Sequence, residues 1–152
     1  MIAQLLVLAV LATLQAVKPT EPTVVFVCEH GAAKSVIATA YFNKIAAERG
    51  LHARAMYRGV NPQAELSTSA IKGLKDDGLS VAEHKPSPIS QSDVDEASVI
   101  FAIGCTLPGA ATASGKTASW DDVPDDKGYA ATRDAIKGHV EQLVYRLLIQ
   151  QR

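Results

Sequence analysis

Cysteine is scarce in this 152-residue chain, which holds only Cys28 and Cys105. Two cysteines are no disulfide framework, so the fold has to rest on an apolar core. Neither sign of charge prevails: 15 Lys and Arg stand against 16 Asp and Glu, a net charge of −1. That balance removes the electrostatic reason to expect nucleic acid or an acidic membrane surface as partner. Metal-ligand spacing is missing as well. His52, His84 and His139 are isolated, and the acidic run Asp93-Val94-Asp95-Glu96 faces no histidine or second carboxylate group. It reads as a solvated helix face. Cys28 and His30, two residues apart, are weak grounds for zinc. Gly115-Lys116-Thr117 ends like a nucleotide-binding loop. Ala110 stands where the first glycine is required, and no strand leads into a helix there.

No uncharged apolar run reaches the ~20 residues of a membrane span. The longest, Ile2 to Val17, suits the apolar region of a signal peptide, although no Lys or Arg precedes it and the best cleavage site, after Ala16, has Leu14 rather than a small residue third back from the cut. Residues 1–17 are therefore expected to be a signal peptide or N-terminal anchor, unless translation begins nearer Thr23. Pro19 and Pro22 mark residues 18–22 as an extended linker. The protein is exported, to the periplasm or beyond, if residues 1–17 act as a signal, and cytoplasmic otherwise. A membrane would be met only through an uncleaved leader. In an oxidising compartment Cys28 and Cys105 could pair. With 47% apolar and 20% charged residues, residues 23–152 suffice for one domain with a proper core.

The informative stretch is Thr23 to Ser35. Thr23-Val24-Val25-Phe26-Val27 is a buried parallel strand, with Cys28 at its end. A small-residue turn follows, and Ser35 opens a helical period that places Val36, Ile37, Ala40, Tyr41 and Ile45 on one face. A strand, a tight loop and a helix N-terminus together cradle an anion, through inward amides and the helix dipole. The same field favours a thiolate. His30, in that loop, would help to hold an anion when protonated.

Further along, helices are expected from Ser35 to Arg49, from Ser67 to Asp77, from Ser90 to Glu96, and from Tyr129 to about Ile149. Strands are expected at Ala53–Tyr57 and Ser98–Ile103, with a short edge strand at Thr117–Trp120. Residues 104–128 are too long for a structureless loop unless they are functional. This order gives an α/β sandwich with a small parallel sheet.

Val24-Phe26-Val27-Cys28 followed by Lys34-Ser35 and Tyr41-Phe42-Asn43 resembles the low-molecular-weight protein tyrosine phosphatases and the thioredoxin-coupled arsenate reductases that share their fold. Their signature is Cys, five residues, Arg, Ser; here Lys34 stands in place of the Arg. The resemblance implies a three-layer α/β sandwich with a mainly parallel four-stranded sheet. It implies Cys28 as nucleophile and the amides of Glu29, His30, Gly31, Ala32, Ala33 and Lys34 as the oxyanion cradle. Ser35 would keep the thiol ionised. Asp125, after Pro124 in Trp120-Asp121-Asp122-Val123-Pro124-Asp125-Asp126, corresponds to the general acid. Arg58, in a turn beside the cradle, is a candidate for the guanidinium that Lys34 lacks, although an arginine there is otherwise a solvated surface residue.

The implied reaction is hydrolysis of a phosphomonoester, on a phosphorylated protein or a small molecule, with no metal or organic cofactor. Arsenate reduction is the alternative; it needs a second thiol, either Cys105 or an external one such as glutathione or a thioredoxin-like partner. A degenerate member that binds oxyanions or phosphoproteins without turnover is the third. The only candidates for an aromatic wall against a phosphotyrosine ring are Trp120, Tyr57 and Tyr129.

Overall fold

The computed structural model describes residues 21–81 and 84–152. The expected leader at 1–17, and residues 18–20 of the expected linker, lie outside the described residues. The elements run β1 (Thr23–Cys28), α1 (Lys34–Arg49), β2 (Arg54–Gly59), α2 (Thr68–Asp76), α3 (Gln91–Glu96), β3 (Val99–Ile103), α4 (Gly109–Ala113), β4 (Thr117–Trp120) and α5 (Gly128–Gln150). The four strands form one sheet in the order β2-β1-β3-β4, and every pairing is parallel. β1 lies between β2 and β3, and each of its six residues is buried. Its unbroken β-branched and aromatic run therefore suits a strand covered on both faces.

Alternation along β1 divides the core. Val24, Phe26 and Cys28 face a cluster with Val36, Phe42, Ile136 and Val140 from α1 and α5. Val25 and Val27 face a smaller cluster with Val94 of α3 and Ala111 of α4. Helices cover both faces, so the molecule has three layers. α1 stops where a glycine permits it: Gly50 is left-handed, with φ of 69°, and its amide bonds to the Ala46 and Ala47 carbonyls. Among the described residues no helix is long and apolar enough to cross a membrane.

Three details differ from the sequence expectation, one being that Asp93, expected on a solvated helix face, is buried and ion-paired. Residues 104–128 contain, besides the short edge strand, the one-turn helix α4, which starts after Pro108 with its φ of −57°. The largest difference concerns Arg58. In β2, Tyr57 packs into the α1–α5 layer, so Arg58 points to the other face, opposite Val27 in register. There its guanidinium grips Asp93 through two bonds, Nε to Oδ2 at 2.8 Å and Nη2 to Oδ1 at 3.0 Å. Arg58 does not supply an oxyanion-binding guanidinium.

Asp93 also accepts from the Ser90 amide while the Ser90 hydroxyl accepts from the Asp93 amide, closing a capping box on α3. Burial pushes the Asp93 carboxyl up, but the bonds from Arg58 and Ser90 outweigh it and hold it below its ordinary 3.8. The stability this group contributes is therefore complete above pH 3.8 and lost as the pH falls below it. Asp93→Ala leaves Arg58 half-buried and unpaired. It is expected to cost about 3 kcal/mol in urea denaturation at neutral pH, with a smaller deficit in acid.

Candidate functional site

The carboxyl end of the central strand opens into the loop 29–33, and the segment after β2 pulls that loop's carbonyls outward. The amide of Val60 donates to the Cys28 carbonyl at 3.1 Å, that of Asn61 to Glu29 at 2.8 Å, that of Gln63 to His30 at 3.2 Å and that of Ser67 to Ala32 at 2.9 Å. Side chains add to the grip. Asn61 Nδ2 donates to Glu29 Oε1 at 2.6 Å, and His30 Nδ1 lies 3.3 Å from the Asn61 carbonyl. Among the described residues none accepts a hydrogen bond from the amides of residues 29–36. α1 follows its N-cap Ala33, which gives no side-chain capping bond. A run of unpaired amides at a helix N-terminus is an anion cradle.

Gly31 makes the turn possible, with φ of 59°, and its Cα faces Gly59 so closely that a Cβ on Gly31 would lie 2.8 Å from the Gly59 nitrogen. Gly31→Ala combines the left-handed penalty of about 1–2 kcal/mol with a clash against backbone. We expect a loss of at least about 2 kcal/mol in unfolding and weaker phosphate binding measured by calorimetry.

Cys28 and Ser35 meet below the loop. The thiol sulfur is 3.1 Å from the Ser35 hydroxyl, and both residues are buried. Above them lies an open cavity of about 470 Å³, lined by Cys28, by Glu29, His30, Ala32, Ala33 and Lys34 of the loop, by Asp125 and by one side of α5. Lys34 is folded inward, with 12% of its side chain exposed. A Cβ on Gly104 would lie 2.8 Å from the Lys34 ammonium, so the missing side chain at 104 makes the room for it. The ammonium pairs with Asp125 Oδ1 at 2.6 Å, while the Asp125 side chain remains 72% exposed. The structure thus brings together Cys28, Lys34, Ser35, Asp125 and residues 29–33.

Cys105 is not among the cavity's lining residues. Its side chain packs with the Val25–Val27 layer, on the other face of the sheet from Cys28, and its thiol donates to the Val27 carbonyl at 3.4 Å. Burial, and then the neighbouring Cys28, push it up to about 11. A thiol so placed is a poor nucleophile. Neither cysteine is in a disulfide.

Gln63, Ser67, Ser69 and Thr132 also line the cavity and carry no signal in the sequence. Of the aromatic candidates only Tyr129 reaches it. Its hydroxyl and that of Tyr41 both donate to Asp77 Oδ2, at 2.7 and 2.8 Å, and Arg133 adds a bond to each Asp77 oxygen. The bond from Tyr129, with those from Tyr41 and Arg133, holds the Asp77 carboxyl low; burial and then Asp77 push Tyr41 up to about 12. The Tyr129 ring lies face-on to Gly73, where a Cβ would be 2.4 to 2.5 Å from three ring carbons. Trp120 is a core residue, packed on Phe26 and Phe101. Tyr57 is buried, stacked on His84. Among the described residues no cluster of His, Cys, Asp and Glu is suited to a metal ion.

The sequence profile of the low molecular weight phosphotyrosine protein phosphatases matches residues 23–119. No curated protein matches the sequence. Among solved structures, YfkJ from Bacillus subtilis superposes with a TM-score of 0.78 at 20% identity, covering 88% of this chain and 98% of its own. The Bacillus subtilis arginine phosphatase YwlE, as a Cys-to-Ser mutant with a phosphorylated active-site serine, gives 0.73 at 21% identity, over 82% and 95%. An arsenate reductase from Archaeoglobus fulgidus gives 0.63 at 27% identity, over 80% and 98%.

Proposed function

Because the chain belongs to the low molecular weight phosphotyrosine protein phosphatase family, we propose that it hydrolyses a phosphomonoester through a phosphocysteine on Cys28. The observation that carries this reading is the Cys28 thiol, 3.1 Å from the Ser35 hydroxyl, beneath a loop whose amides are unpaired. The Ser35 hydroxyl donates to the thiolate and keeps it ionised. The thiolate attacks phosphorus in line; a sulfur–phosphorus bond forms and the ester oxygen leaves with its electron pair. Asp125 gives that oxygen a proton. Water then attacks the phosphocysteine, Asp125 takes its proton, and phosphate leaves as the thiolate returns. The amides of residues 29–34 and the Lys34 ammonium hold the three equatorial oxygens as their charge develops. An incoming phosphoryl group displaces Asp125 from Lys34, which frees the carboxyl to meet the leaving oxygen. The phosphorylated serine of the YwlE mutant is what a trapped intermediate at this position would resemble.

Arsenate reduction is the second reading, favoured by the 27% identical arsenate reductase. Cys28 would displace hydroxide from arsenate. An external thiol would then attack sulfur, leaving the electron pair on arsenic as arsenite and a mixed disulfide for a second thiol to reduce. With Cys105 on the other face of the sheet, both thiols come from outside the chain. The test runs aryl phosphate hydrolysis and thiol-coupled arsenate reduction side by side, from pH 5 to 8. Phosphate release establishes the hydrolase, and arsenite without phosphate moves the assignment to reductase. If neither product forms while phosphate still protects Cys28 from alkylation, the site is an oxyanion-binding module.

A further inference from the structure

The loop that carries Asp125 is held by α5 at two points. His139 Nε2 and Asp122 Oδ1 are 2.7 Å apart, and the buried Thr132 hydroxyl donates to the Pro124 carbonyl at 2.7 Å. The His139 ring also stacks on Trp120, with centroids 4.8 Å apart and planes within 10°. Trp120 in turn packs on Phe26, two residues before the thiol. Val123, between the two holds, is buried. His139 is therefore fixed against the core on one side and fixes Asp122 on the other. Three residues reach at most about 10 Å, so pinning Asp122 confines Asp125 to the neighbourhood of Lys34. Asp125 itself is largely exposed.

We propose that His139 is a positioning residue, which through Asp122 and Trp120 holds the acid loop so that Asp125 stays over the Cys28 loop. This rests on the reading of Asp125 as the general acid. The imidazole offers both halves of the contact, a flat ring for Trp120 and an Nε2–H donor for the carboxylate. Gln keeps a donor and loses the stack; Ala loses both.

The test uses the full chain with His139→Ala, His139→Gln, Asp122→Ala and Asp125→Asn, and reads the rate of Cys28 alkylation by iodoacetate relative to neutral iodoacetamide. Loosening of the fold moves both rates together and leaves the ratio alone. Release of Asp125 from Lys34 leaves the ammonium open to the anionic reagent. We expect the ratio to rise about two- to fivefold in His139→Ala, the effect of one exposed ion pair. Asp122→Ala and Asp125→Asn should rise equally, His139→Gln by less, and His139→Ala with Asp122→Ala no further than either alone. An unchanged ratio in His139→Ala beside a raised one in Asp125→Asn overturns the proposal and spares the general-acid reading.

A leaving-group series tests the reading beneath it. kcat/KM, which reports the first step alone, should fall about tenfold in His139→Ala and about 10²-fold in Asp125→Asn for phenyl phosphate, and by clearly less for 4-nitrophenyl phosphate, whose leaving group needs little help from a proton; kcat falls for both esters, because the water step also uses Asp125. An Asp125→Asn enzyme that treats both esters alike removes the acid role, and this proposal with it. If no ester is hydrolysed, the alkylation ratio decides.

Discussion

Cys28→Ser is expected to lose more than about 10⁴-fold of turnover, for phosphoester and arsenate alike. Both reactions begin with attack by the same sulfur, and a serine hydroxyl at neutral pH is a far weaker nucleophile than a thiolate. The cradle should survive the change. Its amides belong to residues 29–36, and the 28–35 contact becomes hydroxyl to hydroxyl. Isothermal titration with inorganic phosphate should therefore still show binding to Cys28→Ser. Residual turnover near the wild-type level would mean that another group does the chemistry, since Cys105 lies on the other face of the sheet.

Lys34 carries the second large effect. Removing one preorganised donor to a developing oxyanion costs about 10²–10³ in kcat, and Lys34→Ala should fall in that range. Lys34→Arg should go the other way. A guanidinium presents two parallel donors to two phosphoryl oxygens, where an ammonium on a flexible stem acts as a point charge. The space over Gly104 that admits the ammonium is the space the larger fork would use. Steady-state kinetics with an aryl phosphate decide both variants; a rate for Lys34→Arg below that of wild type would show that the site is shaped for Lys.

Local signals carried much of the fold. The run from Thr23 to Val27 is a strand because it buries both faces, and Gly50 ends α1 because a glycine tolerates φ of 69°. Those features can be read within a few residues. Arg58 is near the Cys28 loop's partner segment in sequence and on the opposite face of the sheet in space. Alternation from Tyr57, a core residue, already turns Arg58 to the opposite face. α4 left no periodic trace, being one turn of small residues. The site was legible where it is contiguous, from Cys28 to Ser35, and illegible where it is assembled across the chain. The partner of Lys34 lies at Asp125, and nothing near His139 in sequence marks it as the neighbour of Trp120 and Asp122. Gln63, Ser67 and Ser69 are ordinary polar residues until the segment after β2 folds over the loop.

The position of β1 has a consequence for how the protein comes into being. The strand that ends in Cys28 is bordered by β2 on one side and by β3 on the other, and the layer beneath it is closed by Ile136 and Val140 of the last helix. Closing such distant contacts is slow compared with forming local helices. On the ribosome, the thiol emerges long before the residues that bury it. A newly made chain therefore passes through an interval in which Cys28 is exposed without its loop and core, and the layer that packs against its strand is completed only with α5.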